Sequence, residues 1–505
     1  MVLPSYQNFD LLFDQEMDCS DHVDDRLYSC LFEESPAVSS NSYAPAMLVD
    51  EFLNLDDWSD EFIAPSSPFE GLEAISSEEI ENFCEWIHGS DVIGNSESPV
   101  TVEAVEGSPC LSVESSHGSI ACPMLLELPG YGKEVDSGVS LLHLLKVYGE
   151  ATENGQSELA GVIEKSINKK SNPTGTTAER VAYNMFMSGD DQGEYIRQES
   201  SKNFVPAFKV LNQSLPNTRF AHFTATTAIL EAVPDDAGTV WVVDFDVGEG
   251  IQWPPLINAV RGKRKQVKFV MVKPEEECAV SSWWSFEDTK KRLMAEGREY
   301  GVKMQVEEKG IDELYNEVVN RSTERDFVVF NCMVGLPHMG RRRPRRRVFE
   351  FLKVAEMVLT NRLGMLVRGE GGGGEGGDSY GLYFEEVLRY YEAIFESLEG
   401  SFPDHLVEAR TVIESLFLSP LMRPVDWFRD WEERGEGCGV GGQLEGRRLT
   451  GENVAAARRV VGEGGGGGGG EYKVRVGVRE HEVVLQWKET TLVKVSTWVP
   501  VFIVI

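Results

Sequence analysis

The stretch with the most chemical promise is Val242-Val-Asp-Phe-Asp-Val-Gly-Glu-Gly-Ile-Gln-Trp-Pro254. An apolar run delivers two carboxylates, Asp244 and Asp246, and then two glycines, Gly248 and Gly250. Pro254 follows, a residue favoured at the first position of a helix. Strand, glycine turn and helix in that order form the crevice in which open α/β sheets hold nucleotides. Glycines there let the backbone come close to the ligand, and a carboxylate accepts from ribose hydroxyls. Glu275 follows the next apolar run, where a second ribose-binding acid is expected. The chemistry on offer is the holding of a nucleoside cofactor for group transfer.

The Asp246-x-Gly248-x-Gly250 core resembles the first motif of S-adenosylmethionine-dependent methyltransferases. Two features oppose transfer. Bulky Ile251, Gln252 and Trp253 crowd the turn where a nucleoside would lie. Downstream, no nucleophile with a base and no acid–base pair accompanies it. The reading is therefore non-enzymatic and without a cofactor; a methyltransferase or small-molecule receptor using Asp244, Asp246, Gly248, Gly250 and Glu275 is the alternative.

Alternating β and α segments must position this turn. Strands are expected at 240–245, 267–272, 327–331 and 363–367, with helices at 254–260, 286–299, 347–359 and 382–398. Short apolar runs alternating with helices imply βαβ units and a mainly parallel, Rossmann-like sheet. In the last helix Phe384, Leu388, Tyr391, Phe395 and Leu398 form one apolar stripe. Three strands are expected after residue 471, at 472–478, 481–487 and 490–505. Ahead of the sheet, residues 138–233 read as an α-helical cap, with helices at 141–151, 159–167, 203–215 and 222–233. Leu141, Leu142, Leu144, Leu145, Leu159 and Val162 give the first two of these apolar faces, which are candidates for a partner-binding surface. Glycine-rich runs at 369–377 and 464–470 read as surface insertions in an α/β core spanning 238–505, since polyglycine loses much entropy on ordering.

Residues 1–135 differ in kind. Residues 1–130 hold 27 Asp and Glu against one basic residue, Arg26, in a chain of net charge −35. Carboxylates interleaved with isolated aromatics cannot bury enough surface to fold, so an acidic, mostly disordered arm is expected. Such interleaving is also the composition of activation segments. Its best local helix is Ser77–Ile87, with Ile80, Phe83, Cys84 and Ile87 at helical spacing. An acidic chain repels phosphates, so stand-alone DNA binding is disfavoured. The eight cysteines show no C-x-x-C pair and suit neither a zinc site nor a disulfide scaffold. No secretory leader is legible, and no apolar run reaches the roughly 20 residues of a membrane helix, so a soluble intracellular protein is expected.

One basic run stands out: Arg341, Arg342, Arg343, Arg345, Arg346 and Arg347 around Pro344. Six guanidinium groups repel one another, so the run is expected in solvent or against an acidic partner. One reading is a solvated loop and the other a nuclear-localisation signal or a phosphate-contacting patch, of which nuclear import is preferred. His143, His222, His338 and His481 are scattered in sequence and read as structural.

Five motifs in order carry a resemblance. Val240-Trp-Val-Val-Asp244 is similar to the V-H-I-I-D motif of the plant GRAS family of transcriptional regulators, with Trp241 where histidine is usual. Gly248, Gly250, Trp253 and Pro254 continue it. Phe220–Ala225 and Ala228–Ala232 resemble the end of the family's first leucine-rich region. Val329–Met339 resembles the entry to its P-F-Y-R-E region, and Tyr390–Leu398 with Arg410 and Glu414 matches that region's helix. Trp487-Lys488 and Ser496-Thr497-Trp498 resemble the closing S-A-W motif, with threonine for alanine. The resemblance covers roughly residues 138–505. Ser137–Lys146 and the wording after Asp244 point to the branch tied to nodulation, mycorrhiza and strigolactone biosynthesis. What the resemblance implies is a methyltransferase-like core used for association, acting in the nucleus as a heterodimer with another GRAS protein. That partner would supply much of the contact to promoter DNA, and no membrane is involved.

Overall fold

The computed structural model describes residues 133–186, 204–263, 265–274, 285–372, 378–402, 407–435, 440–462 and 471–501. The acidic arm, the expected helix at 77–87, Glu275 and the glycine run at 464–470 lie outside these residues.

The described chain begins in a helical hairpin, α1 (Lys133–Glu153) and α2 (Ser157–Asn168). Leu141 and Leu145 of α1 close on Ile163 and Ile167 of α2, all buried. α3 (Thr177–Phe186), α4 (Phe204–Ser214) and α5 (Asn217–Ala232) follow. α5 is buried along most of its length, from Asn217 to Ile229. Its alanines and threonines are small enough for neighbours to close in on every side.

The sheet then forms by repetition of strand and helix. β1 (Thr239–Asp244) leads through α6 (Pro254–Ala259) to β2 (Gln266–Val272), and α7 (Phe286–Glu299) leads to β3 (Lys303–Lys309). α8 (Ile311–Arg321) returns the chain to β4 (Phe327–Val334), and α9 (Arg345–Leu359) to β5 (Gly364–Gly371). These five strands are parallel, in the order β3-β2-β1-β4-β5. Strand order reverses at β1, so a crevice opens between the carboxyl ends of β1 and β4.

α10 (Tyr380–Glu399) carries the expected stripe, and Phe384, Leu388, Tyr391, Phe395 and Leu398 are all buried. α11 (Val407–Ile413) runs into one π-helical turn, Glu414–Leu418, and α12 (Pro424–Glu432) follows. β6 (Leu444–Gly446) and α13 (Gly451–Val460) precede a closing meander of β7 (Tyr472–Val476), β8 (Glu482–Trp487) and β9 (Thr490–Pro500). β9 pairs antiparallel with β5, Leu366 opposite Trp498, and β8 and β7 extend that side. Residues of α8 and α9 cover one face of the sheet. Residues of α5, α6, α10 and α13 cover the other.

The structure departs from the sequence reading in several places. α3, β3, α8, α11, α12, β6 and α13 were not expected. β3 reads Lys-Met-Gln-Val-Glu-Glu-Lys and buries only Val306, because an edge strand has one neighbour and keeps its charges in solvent. The glycine run does not begin as an insertion: Gly369–Gly371 completes β5, with Gly369 opposite Val495. A Cβ on Gly335, whose φ is +67°, would sit 2.2 Å from the Gly371 carbonyl oxygen. The ends of β4 and β5 therefore touch backbone to backbone, which only glycine allows.

Candidate functional site

The turn after β1 is where a ligand would lie, and the protein's own side chains occupy it. The carboxylate of Asp244 is 1% exposed. Trp253 folds back from the N-terminus of α6, and its Nε1 donates to Asp244 Oδ2 at 2.8 Å. The Asp246 amide donates to Asp244 Oδ1 at 3.1 Å. The Trp253 ring is fully buried, edge-on to Phe269 of β2 at 5.4 Å. Beside it Gln252 and Asn331 exchange amide hydrogen bonds, each 3.0 Å, across the β1–β4 crevice. Burial pushes the Asp244 carboxyl up to about 7, against the bonds from Trp253 and Asn331.

Gly248 and Gly250 have φ of +54° and +89°, and a Cβ on Gly250 would come 3.1 Å from Thr289 Cγ2. The approach that these glycines permit is made by α7 rather than by a nucleoside. Thr289 Oγ1 donates to the Gly248 carbonyl at 2.8 Å, and an Arg292 guanidinium N–H to that of Glu249 at 3.2 Å. Burial also raises Glu249 to about 7.

Asp246 faces the loop before α9. Arg343 pairs with it in bidentate fashion at 2.7 and 2.9 Å, and Arg341 joins from the same loop. Burial alone would raise Asp246, but the two guanidinium groups hold it well below the ordinary carboxylate range. Arg342 turns the other way, onto Asp430 of α12. Arg346 and Arg347 pair with Glu350 within α9. The expectation of a solvated basic run is thereby corrected. Arg341 and Arg343 are 17% and 10% exposed, and the acids that hold Arg341, Arg342 and Arg343 belong to this chain. Arg346, at 73%, is open to solvent, and Arg345 is the first residue of α9.

The expected partner surface also divides. Leu141 and Leu145 are core residues at 1% and 0% exposure, and Leu142 and Leu144 pack half-buried against that core. Leu141 and Leu145 are therefore corrected to internal packing, while Leu142 and Leu144 keep part of their surface open. Leu159 and Val162 of α2 remain outward, 45% and 61% exposed.

The histidines are less isolated than their spacing suggested. His222 and His338 meet edge to face at 5.0 Å, with the Thr218 hydroxyl 2.9 Å from His338 Nδ1. Burial lowers both, His338 to about 3. Among the described residues no group of three or more His, Cys, Asp or Glu is arranged to hold a metal. Nor does any described helix have the length and apolarity to cross a membrane.

The sequence pattern of the GRAS domain family matches residues 141–499. The chain belongs to that family. Among its relatives, the Protein NODULATION SIGNALING PATHWAY 2 of Medicago truncatula is 30% identical over 311 residues, 59% of this chain and 59% of that protein. The match thus spans less than two thirds of that relative. The Lotus japonicus protein of the same name is 29% identical over 391 residues, 72% of this chain and 76% of its own. The crystal structure of SCL7 from Oryza sativa shares the fold, with a TM-score of 0.52 and 22% identity over 71% of this chain and 99% of that one.

Within this GRAS domain the departures from family wording have local partners. Trp241, in place of histidine, lies under the Lys268 ammonium at 4.2 Å and donates from Nε1 to Asp326 at 3.3 Å. Thr497, in place of alanine, donates its hydroxyl to the Arg447 carbonyl. Trp498 stacks edge-on to His481 at 4.3 Å, and Trp487 packs on Tyr472 at 4.7 Å. Arg410 and Glu414 join a buried network that sequence reasoning did not complete. Arg180 of α3, fully buried, bonds Glu414 at 3.1 Å and Glu399 at 3.1 Å. Arg410 reaches Glu399 at 3.4 Å and Glu414 at 3.5 Å. Val240 is a fully buried residue of β1.

Proposed function

We propose that this GRAS-domain protein is a nuclear, non-enzymatic transcriptional regulator that acts by pairing with another GRAS protein. One observation carries the reading: the crevice that would hold a cofactor is filled by Trp253, Gln252 and the Asp246–arginine pairs, while α2 leaves Leu159 and Val162 uncovered. Side chains lying across the crevice disfavour a bound nucleoside, and exposed apolar residues on a helix are what a partner helix covers.

The names of the two nodulation-signaling relatives support a setting in nodulation; control of mycorrhiza-related and strigolactone-biosynthesis genes is proposed with it from the motif resemblance alone. The proposed partner is a GRAS protein such as the nodulation-signaling pathway 1 protein, through which promoter DNA is reached. The charge of −35 fits a regulator that borrows its partner's DNA contacts. Nuclear entry through the arginine run would require Arg341, Arg342 and Arg343 to leave Asp246 and Asp430.

The test is the double variant Leu159→Glu, Val162→Glu in plant nuclei. Co-precipitation of the partner GRAS protein and occupancy of target promoters are both expected to be lost. Promoter occupancy that survives loss of the partner sinks the pairing reading.

A further inference from the structure

The outer side of α2 is built for a particular kind of guest. Leu159 and Val162 lie one turn apart, 45% and 61% exposed, and the space around Gly161 between them is open. Past them the helix ends in cations. Lys165, Lys169 and Lys170 are exposed, and none has a carboxylate partner among the described residues. The two carboxylates of α2 lie elsewhere: Glu158 at the opposite end, and Glu164 half-buried beside Tyr148. An apolar step followed by three lysines fits an amphipathic helix rich in glutamate.

The chain holds such a segment, and its connection begins nearby. α1 has 21 residues and α2 has 12, joined by a short turn at 154–156, so the two run antiparallel. At 1.5 Å per residue α1 overhangs α2 by roughly 13 Å. The chain thus enters α1, at Lys133, on the lysine side of α2. Upstream, Ser77-Glu-Glu-Ile-Glu-Asn-Phe-Cys-Glu-Trp-Ile87 contains Glu78, Glu79, Glu81 and Glu85 and no cation, with Ile80, Phe83, Cys84 and Ile87 at helical spacing. It lies outside the described residues, and its sequence alone supplies this chemistry. As a helix it would be about 16 Å long, close to the ~18 Å of α2. The connecting residues 88–132 reach more than ~100 Å when extended, so length does not forbid the contact.

We propose that residues 77–87 dock in cis on α2, their apolar stripe over Leu159 and Val162 and their glutamates toward Lys165, Lys169 and Lys170. The inference rests on the reading that this face also receives the partner, so that arm and partner compete for it. A tethered ligand acts at an effective concentration that can reach the millimolar range, so a weak contact is enough to compete.

Zero-length carbodiimide crosslinking of the full chain, without a partner, tests the docking. In the monomer fraction, peptide mapping should find Glu78, Glu79, Glu81 or Glu85 joined to Lys165, Lys169 or Lys170. Changing the four glutamates to lysine should remove those links. Adding Lys165→Glu, Lys169→Glu and Lys170→Glu should restore them with the charges exchanged, at an unchanged thermal midpoint. Links that are missing, confined to covalent dimers, or indifferent to charge reversal overturn the proposal. Separately, the four-lysine arm variant should bind the GRAS partner several-fold tighter, and unchanged affinity overturns the competition. Because the crosslink map uses no partner, failure of the docking and failure of the pairing reading are distinguished.

Discussion

The turn after β1 and the outer face of α2 stand at opposite extremes of the same domain. Around the turn most polar groups meet another part of the chain: Trp253 on Asp244, Gln252 on Asn331, Arg341 and Arg343 on Asp246. The buried Glu249 carboxylate is the exception and accepts no hydrogen bond from the described residues. On the outer face of α2, Leu159 and Val162 are exposed, as are the three lysines at its end. The turn has the pattern associated with ligand binding and no vacancy, whereas the helix has a vacancy and no recognised ligand motif. Motif and availability are separate properties, and only the second requires the folded structure. The difference also predicts which kind of damage each region suffers: loss of stability at the turn, loss of association at α2.

The sharpest test of this division is Asp246→Ala. It leaves two guanidinium groups half-buried without their acid, and removing one partner of a buried pair costs about 3–5 kcal/mol. Denaturant titration measures this, and a loss under 1 kcal/mol would show the turn to be far looser than described. Next comes Trp253→Phe, which keeps most of the ring and removes the bond to Asp244. An unsatisfied buried acceptor costs about 1–3 kcal/mol, read in the same titration.

Protons offer a third handle on the turn. Burial raises Asp244, Glu249 and Glu414 to about 7, so each is more readily protonated in the fold than in the unfolded chain. Their contribution is fully present below the ordinary carboxylate range and is lost as pH rises through about 7. Asp246 has the opposite sign: its folded value is depressed, so its contribution is present above the ordinary range and lost as pH falls through the depressed value. Thermal midpoints between pH 4.5 and 7.5 should therefore fall less steeply in Asp244→Asn than in the parent. An identical slope would remove Asp244 from the account.

The smallest effects are expected where the comparison is most easily broken. Leu159→Glu with Val162→Glu should change folding stability by no more than about 0.5 kcal/mol, as for most surface sites, while abolishing pairing. S-adenosylmethionine should leave the thermal midpoint unmoved. A ligand at 100 times its Kd stabilises its host by about 2.7 kcal/mol, so a clear upward shift would reopen the turn as a binding site.

Much of the core was readable because its strands are apolar runs flanked by helices of clear period. The helix expected at 286–299 is found at Phe286–Glu299, and the α10 stripe is buried throughout. β3 escaped because edge strands keep their charges. The crowding at Ile251–Trp253 was legible, but its cause was not. That Trp253 satisfies Asp244 depends on how the turn folds back on its own strand, and that Arg292 and Asn331 reach the same turn depends on residues brought together from distant parts of the chain. The arginine run was misjudged for the same reason: composition gives repulsion, whereas Asp246 and Asp430 are neighbours only after folding. Arg180 gave no signal, since a lone arginine in Thr177–Phe186 looks like surface.

Those consecutive arginines have a further consequence. Arg341 reaches back 95 positions to Asp246, and Arg342 reaches forward 88 positions to Asp430. A single loop thus rivets an early turn to a late helix, and each contact forms only once its own distant segment is in place. Freeing the loop means breaking both, so its amides should exchange with solvent mainly in large-scale openings. Any receptor that recognises Arg341–Arg343 would then capture them at a rate set by the domain's own opening equilibrium rather than by collision.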